Sequence, residues 1–305
     1  MTRFLFYTDL HLTSRSPVHR IDDYRQAILG KLSEVYLIAE QRDCEFVVFG
    51  GDFFDTHRVF SYDLINLTME IICESQFKTY GILGQHDLNG YNPQTFKSSA
   101  LSFVMKHCDK FSLVEGPLEL DGLWLVPSHV WMDVMEDCKV RPTGDKPSVL
   151  IAHHLLSRKK QVFDVVVTSD MDSVYDLVLS GDLHSGFDVH KIGNTTFCNP
   201  GSIGRLALND AHRMPQVAIV EIGDGVEIEY VPLQTAGKGE TVFGKEFIEG
   251  IRKAASFDST SFIQQIEGLE REVVDVYDLI WKTGIAQGKP RLVLEYIMTK
   301  KTENP

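Results

Sequence analysis

Short apolar runs that do not alternate with polar residues narrow the fold of this chain more than any other feature. Phe4 to Tyr7, Phe46 to Phe49, Tyr80 to Leu83, Val149 to Ala152, Leu177 to Leu179 and Thr195 to Cys198 are all of this kind. A strand without alternation is buried on both faces, so it needs a layer packed on either side. Helical periodicity fills the gaps. Ile28, Leu32, Val35 and Ile38 share one face of a helix predicted over Ile21 to Glu40, and a second helix is predicted over Tyr62 to Cys73. Val217 to Ile222 and Val226 to Val231 read as a hairpin around Gly223-Asp224-Gly225. Strands and helices in this order define an α/β protein.

Size and composition set outer bounds. A chain of 305 residues is long enough for two domains or for one with an appendage. Hydrophobic residues at 43% and charged residues at 24% are globular values. No stretch approaches the roughly 18 apolar residues of a membrane span, and the N-terminus lacks a signal-peptide pattern and reads as a mature first strand. Five dispersed cysteines (Cys44, Cys73, Cys108, Cys138, Cys198) without a CxxC predict reduced, structural thiols in a cytoplasmic protein. The net charge of -13 argues against a passive nucleic-acid coat. It is compatible with an enzyme whose carboxylates hold cations.

The polar residues that end the apolar runs carry the chemistry. Asp9-Leu10-His11, Gly51-Asp52, Gly84-Gln85-His86-Asp87, His153-His154 and Gly181-Asp182-Leu183-His184 each follow such a run. The C-terminal edge of parallel strands is where open α/β sheets bind ligands. In D-x-H the two side chains fall on one side of an extended strand end. Mixed carboxylate and imidazole ligands suit Mn, Fe or Zn better than Ca. Asp52, lying between the other sets, is the natural bridge between two cations. His154 is an alternative to His153. Arg58 and Arg205 could meet phosphate or form surface salt bridges, and Asn199-Pro200-Gly201-Ser202 is either a turn that places backbone N–H groups near the active edge or only a turn.

The order D-x-H, GD, GQHD, H, GDLH resembles that of the calcineurin-like metallophosphoesterases. GDFFDTHR (Gly51 to Arg58) and NPGSIGR (Asn199 to Arg205) most resemble the SbcD-type DNA repair nucleases. The resemblance spans roughly residues 1–232. It implies a four-layer β-sandwich flanked by helices, with a small α+β C-terminal cap. It makes Asp9, His11, Asp52 and His184 the ligands of one metal, and Asp52, Gln85, His153 and Asp182 those of another. His86 would stabilise or protonate the leaving oxygen, with Asp87 orienting it. Gln85 stands where the family usually has Asn, and Asp182 where it usually has His, so that second site should prefer Mn or Mg over Zn.

The implied activity is hydrolysis of DNA phosphodiesters with two divalent metal ions, Mn or alternatively Mg. The chain would be the nuclease subunit of a break-repair complex. The implied partners are DNA, an SbcC-type coiled-coil ATPase and a second copy of the chain, in the cytoplasm and off the membrane. The rivals are a phosphoesterase of this fold acting on a small molecule or phosphoprotein, and a non-catalytic scaffold that should have lost its ligands. The nuclease domain is expected over 1–233 and the cap over 234–305. In the cap, one amphipathic helix is expected on Phe243, Phe247, Ile251 and Ala254, another on Phe262 to Ile280, and a strand from Arg291 to Met298.

Overall fold

Alternate residues of the apolar strands go to opposite sides of two sheets, and this divides the core into layers. The fold is described from a computed structural model that defines residues 1–246, Ile248 and Glu249. In chain order, β1 (Thr2–Tyr7), α1 (Tyr24–Gln41), β2 (Phe46–Phe49), α2 (Tyr62–Glu74), β3 (Thr79–Gly81), α3 (Ala100–His107) and β4 (Phe111–Leu113) form a run of strand and helix units. β5 (Leu118–Glu119), β6 (Trp124–Ser128), the single turn α4 (Val134–Asp137), β7 (Ser148–Ala152), β8 (Leu156–Ser157), β9 (Val166–Val167), β10 (Leu177–Ser180), β11 (Phe187–Ile192) and β12 (Thr195–Asn199) follow. The hairpin β13 (Gln216–Ile222) and β14 (Val226–Pro232) then returns to the first sheet, and α5 (Gly239–Phe243) comes last.

The first sheet has the order β14-β13-β1-β2-β3-β4, and the second β11-β12-β10-β7-β6-β5. Four neighbouring strands run parallel in each: β1 to β4 in one, β6, β7, β10 and β12 in the other. In the first sheet β4 is itself an edge and antiparallel β13 and β14 extend the other side; in the second, antiparallel β11 and β5 form the two edges. Between the sheets lie Phe4, Phe6, Phe46 and Val48 from one and Val149, Ile151, Leu177 and Leu179 from the other. The alternate residues Leu5, Tyr7, Val47 and Phe49 face outward onto Ile28, Leu32 and Val35 of α1 and Leu64 and Ile72 of α2. On the far side, Leu150, Ala152 and Val178 pack against Val134, Cys138, Met171 and Tyr175. Burial on both faces explains why these strands show no alternation.

α1 begins at Tyr24, because Asp23 caps it by accepting from the Gln26 N–H. Beyond β14 the chain stays packed: Leu233 and Ala236 are buried, and the Glu34 carboxylate accepts from the Gln234 and Thr235 N–H groups at 2.6 and 2.8 Å. Phe243 joins Val242, Ala211 and Ile248 in a small cluster. The other cap elements predicted on Phe247, Ile251 and Ala254, on Phe262 to Ile280 and on Arg291 to Met298 lie outside the described residues. One expectation is corrected. Cys73 and Cys108 form a disulfide between the end of α2 and the end of α3, with Cα atoms 5.7 Å apart. The two helices pack side by side, a proximity that a separation of 35 residues does not reveal. Cys44, Cys138 and Cys198 are free and buried. No helix among the described residues is long and apolar enough to cross a membrane.

Phe111 is buried against Phe49 and Phe53 with ring centroids at 6.0 and 5.4 Å, in the layer between the first sheet and its helices. Phe111→Ala should lower the unfolding free energy by about 3–5 kcal/mol. Chemical denaturation checks this, and an unchanged midpoint contradicts the layer assignment.

Candidate metal centre

β1, β2, β7 and β10 end on a common edge, and each releases its polar residues there. Asp9 N–H donates to the Gly51 carbonyl at 3.0 Å and His11 N–H to the Asp52 carbonyl at 3.1 Å, which locks the two strand ends of the first sheet. The His153 Nδ1 lies 2.7 Å from the Gly50 carbonyl and ties the second sheet to the first. Asp182 N–H donates to both carboxylate oxygens of Asp9, at 3.2 and 3.1 Å.

These turns are sharp. Asp9, His11, Asp52 and Asp182 have φ of 51°, 48°, 58° and 69°. Each costs on the order of 1–3 kcal/mol and persists only where the surroundings over-determine it. Asp87 and the Asn199–Ser202 turn do the bracing. The Asp87 carboxylate accepts from the N–H groups of Asp52, Phe53 and Gly84, all at 3.0 Å. Ser202 Oγ donates to the Asp9 carbonyl at 2.8 Å, Gly204 N–H donates to the same carbonyl at 3.0 Å, and Ser202 N–H donates to the His184 carbonyl at 3.0 Å. Glycine provides the clearance. A Cβ at Gly84 would collide with the Asp52 carboxylate and lie 2.6 Å from His153 Nε2.

Two carboxylate oxygens each face three imidazoles. Asp52 Oδ2 lies 3.4 Å from His153 Nε2, 3.8 Å from His11 Nε2 and 3.9 Å from His86 Nε2. Asp9 Oδ1 lies 3.7 Å from His184 Nε2, 3.9 Å from His11 Nε2 and 4.0 Å from His153 Nε2. His11 and His184 present their Nε2 atoms to each other at 3.0 Å. Ligand atoms of Asp9–His11–His184, His11–Asp52–His86 and Asp9–Asp52–His153 lie close enough to share a cation.

Asp52 Oδ2, His153 Nε2 and Gln85 Oε1 are buried and have no hydrogen-bond partner among the described residues. An orphaned buried donor or acceptor costs about 1–3 kcal/mol, so three of them at one strand-end cluster imply a ligand that uses them. A divalent cation fits these donors.

The electrostatics agree. Burial opposes charge on Asp52, yet His153, His11 and His86 outweigh it and hold the carboxyl below its ordinary range. Burial likewise opposes a cation on His153, but Asp52 and then Asp9 raise its pKa well above the usual imidazole value. The field thus favours a positive charge between Asp52 and His153. Burial pushes His11 down to about 3, which keeps it neutral and able to ligate.

Asp9, His11, Asp52, His153 and His184 are thus brought together. Gln85 and Asp182 meet each other, the Gln85 amide donating to Asp182 Oδ1 at 2.7 Å. His154 turns away, with its Nε2 3.1 Å from Ser128 Oγ. Two expectations are corrected. Asp87 does not orient His86: its oxygens are taken by backbone N–H groups, and the His86 ring instead sets Nδ1 2.6 Å from the Asp55 carbonyl. Arg205 is not a surface cation. It is buried and donates to the carbonyls of Arg213 and Gly237. Sequence reasoning also missed Asp55, whose Oδ1 lies 3.7 Å from His11 Nδ1. Its only signal was its place as the second acid of GDFFD.

The sequence profile described as calcineurin-like phosphoesterase matches residues 2–186. No curated protein matches the chain. Among solved structures, a dimetal phosphatase from Danio rerio superposes with a TM-score of 0.51, covering 76% of this chain and 96% of its own at 8% identity. A calcineurin-like phosphoesterase from Bacillus subtilis covers 82% of this chain and 98% of its own, at 14% identity and a TM-score of 0.46.

Gly84→Ala should keep the fold and weaken binding of divalent metal by on the order of 10- to 100-fold. Circular dichroism and a calorimetric Mn titration check this. Unchanged affinity would mean that the Asp52–His153 pair is not a ligand pair.

Proposed function

The chain belongs to the calcineurin-like phosphoesterases, and from that premise we propose that it is a dinuclear metal-dependent phosphodiesterase that cleaves DNA. The observation that carries the reading is the set of unpartnered ligand atoms around Asp52 Oδ2. Asp9, His11, Asp52 and His184 would hold one cation, and Asp52, His153, Gln85 and Asp182 the other, with Asp52 shared. Divalent cations held by these residues would lower the pKa of a bound water and stabilise the charge that develops on the phosphoryl oxygens.

His86 supplies the proton. Its Nδ1 faces the Asp55 carbonyl, which can only accept, so Nδ1 is the donor there and Nε2 is left toward Asp52. Burial opposes the imidazolium, but Asp52, the Asp55 carbonyl and the Asp55 carboxylate raise its pKa above the usual value. The protonated ring then gives its Nε2 proton to the leaving oxygen. The His86 side chain is 39% exposed and that of His184 33%, so a phosphate approaches from solvent.

DNA is favoured as the substrate by the likeness of GDFFDTHR and NPGSIGR to the SbcD-type segments, and a surface edge suits a strand laid across it. With a net charge of -13 the chain needs a basic surface from elsewhere to hold DNA tightly. An SbcC-type ATPase and a second copy of the chain, acting in the cytoplasm, complete the proposal.

Labelled linear duplex DNA should be cut in Mn or Mg and spared in EDTA. Hydrolysis of a chromogenic phosphomonoester with intact DNA would point to the small-molecule or phosphoprotein reading. His86→Asn should keep fold and metal content while kcat falls on the order of 100- to 10,000-fold. A variant that loses metal and activity in proportion contradicts the proton-donor role.

A further inference from the structure

We infer that the cavity between residues 12–15 and 55–61 is a subsite for the phosphate and base that flank the scissile phosphate of a nucleic-acid strand. This rests on the DNA reading above. The cavity measures about 450 Å³ and is lined by Arg15, Asp55, Arg58, Val59 and Phe60 among others. A second hollow of about 340 Å³ shares Asp55 and Thr56 with it and contains Gln85, His86 and Tyr91. The cavity therefore adjoins the hollow lined by Gln85 and His86.

Its two arginines are unusual in this chain. Arg3, Arg20, Arg25, Arg42, Arg141 and Arg158 are paired with Glu221, Asp22, Asp63, Glu229, Asp176 and Asp188. Arg205 and Arg213 are turned inward onto backbone carbonyls. Among the described arginines, only Arg15 and Arg58 have no partner for the guanidinium among the described residues, and both line this cavity. In a protein with 43 acids and 30 bases, two unpaired arginines beside a phosphoryl-transfer site call for an anion. Asp55 is the only acid in the lining, and it faces His11.

The guanidinium fork matches phosphate oxygens. Phe60, on the same rim, is 88% exposed, so its ring is open to stacking. An aromatic ring beside an arginine-lined groove is how single-stranded nucleic acid is held. The Arg58 loop is preset, because its carbonyl accepts from Thr56 Oγ1 at 2.8 Å and the His57 carbonyl from Ala100 N–H at 2.8 Å. A minimal diester such as bis(p-nitrophenyl) phosphate has neither the second phosphate nor a nucleobase.

The test compares the wild type, the Arg15→Ala/Arg58→Ala double variant, the corresponding double lysine variant and Phe60→Ala in the full chain. Binding of a fluorescein-labelled single-stranded oligonucleotide is followed in EDTA by anisotropy across a salt series. Turnover of the same oligonucleotide and of bis(p-nitrophenyl) phosphate is followed in Mn. The double alanine variant should lose on the order of 100-fold in oligonucleotide affinity and kcat/KM. Its slope of affinity against salt should also become shallower, by about 0.7 per lost phosphate contact. Phe60→Ala should lose about tenfold. Double lysine should restore the salt slope but only part of the affinity. The small diester should be turned over within about twofold of the wild-type rate by the double alanine and Phe60→Ala variants, a split that loss of fold or metal cannot produce. Equal losses on both substrates, or none on the oligonucleotide, would overturn the subsite while leaving DNA cleavage standing. Turnover of the small diester by a wild type that neither binds nor cuts DNA would overturn the DNA reading itself, and the subsite with it.

Discussion

The contact on which the rest of the structure depends is that of the Asp52 carboxylate with its ring of imidazoles. One oxygen accepts from the His86 N–H at 2.8 Å. The other faces His153, His11 and His86 with no hydrogen-bond donor of its own. A buried carboxylate in that position is tolerable only with a positive charge beside it. The two sheets, one delivering Asp9 and Asp52 and the other His153 and Asp182, pack face to face and release these residues at neighbouring strand ends, so that this charge has a place.

Holding the ligands there requires backbone that most residues resist. Asp9, His11, Asp52 and Asp182 all take positive φ, and Gly51 between them has φ 103°. Aspartate tolerates this region better than most side chains. The chain still needs clamps, and it builds them from backbone hydrogen bonds: Asp87 gathers three N–H groups from two loops, and Ser202 with Gly204 holds the Asp9 carbonyl. These residues position the centre without touching what it holds. The strain belongs to the site, and the rigidity of the double-sheet core maintains it.

Much of this was legible in the sequence because it is periodic or local. The apolar runs predict β1, β2, β3, β7, β10 and β12 to within a residue or two, while β4 and β6 went unread; Asp, His and Gly at the ends of the predicted strands mark the edge where the site lies. What escaped depends on contacts between distant segments. Asp87 beside His86 looks like an orienting partner in one dimension, but in space its oxygens belong to the turn after β2. Arg205 follows a motif and suggests a surface cation, while its neighbours bury it. The Cys73–Cys108 pair depends on how two helices dock. Asp55 acquires meaning only once His11 and His86 are folded over it.

The central claim is that Asp52 is shared by two cations. Anomalous diffraction from crystals equilibrated with Mn tests it most directly. The account predicts two peaks roughly 4 Å apart, both within bonding distance of the Asp52 carboxylate, one beside His11 and His184 and the other beside His153. A single peak, or two peaks neither of which Asp52 touches, would contradict it.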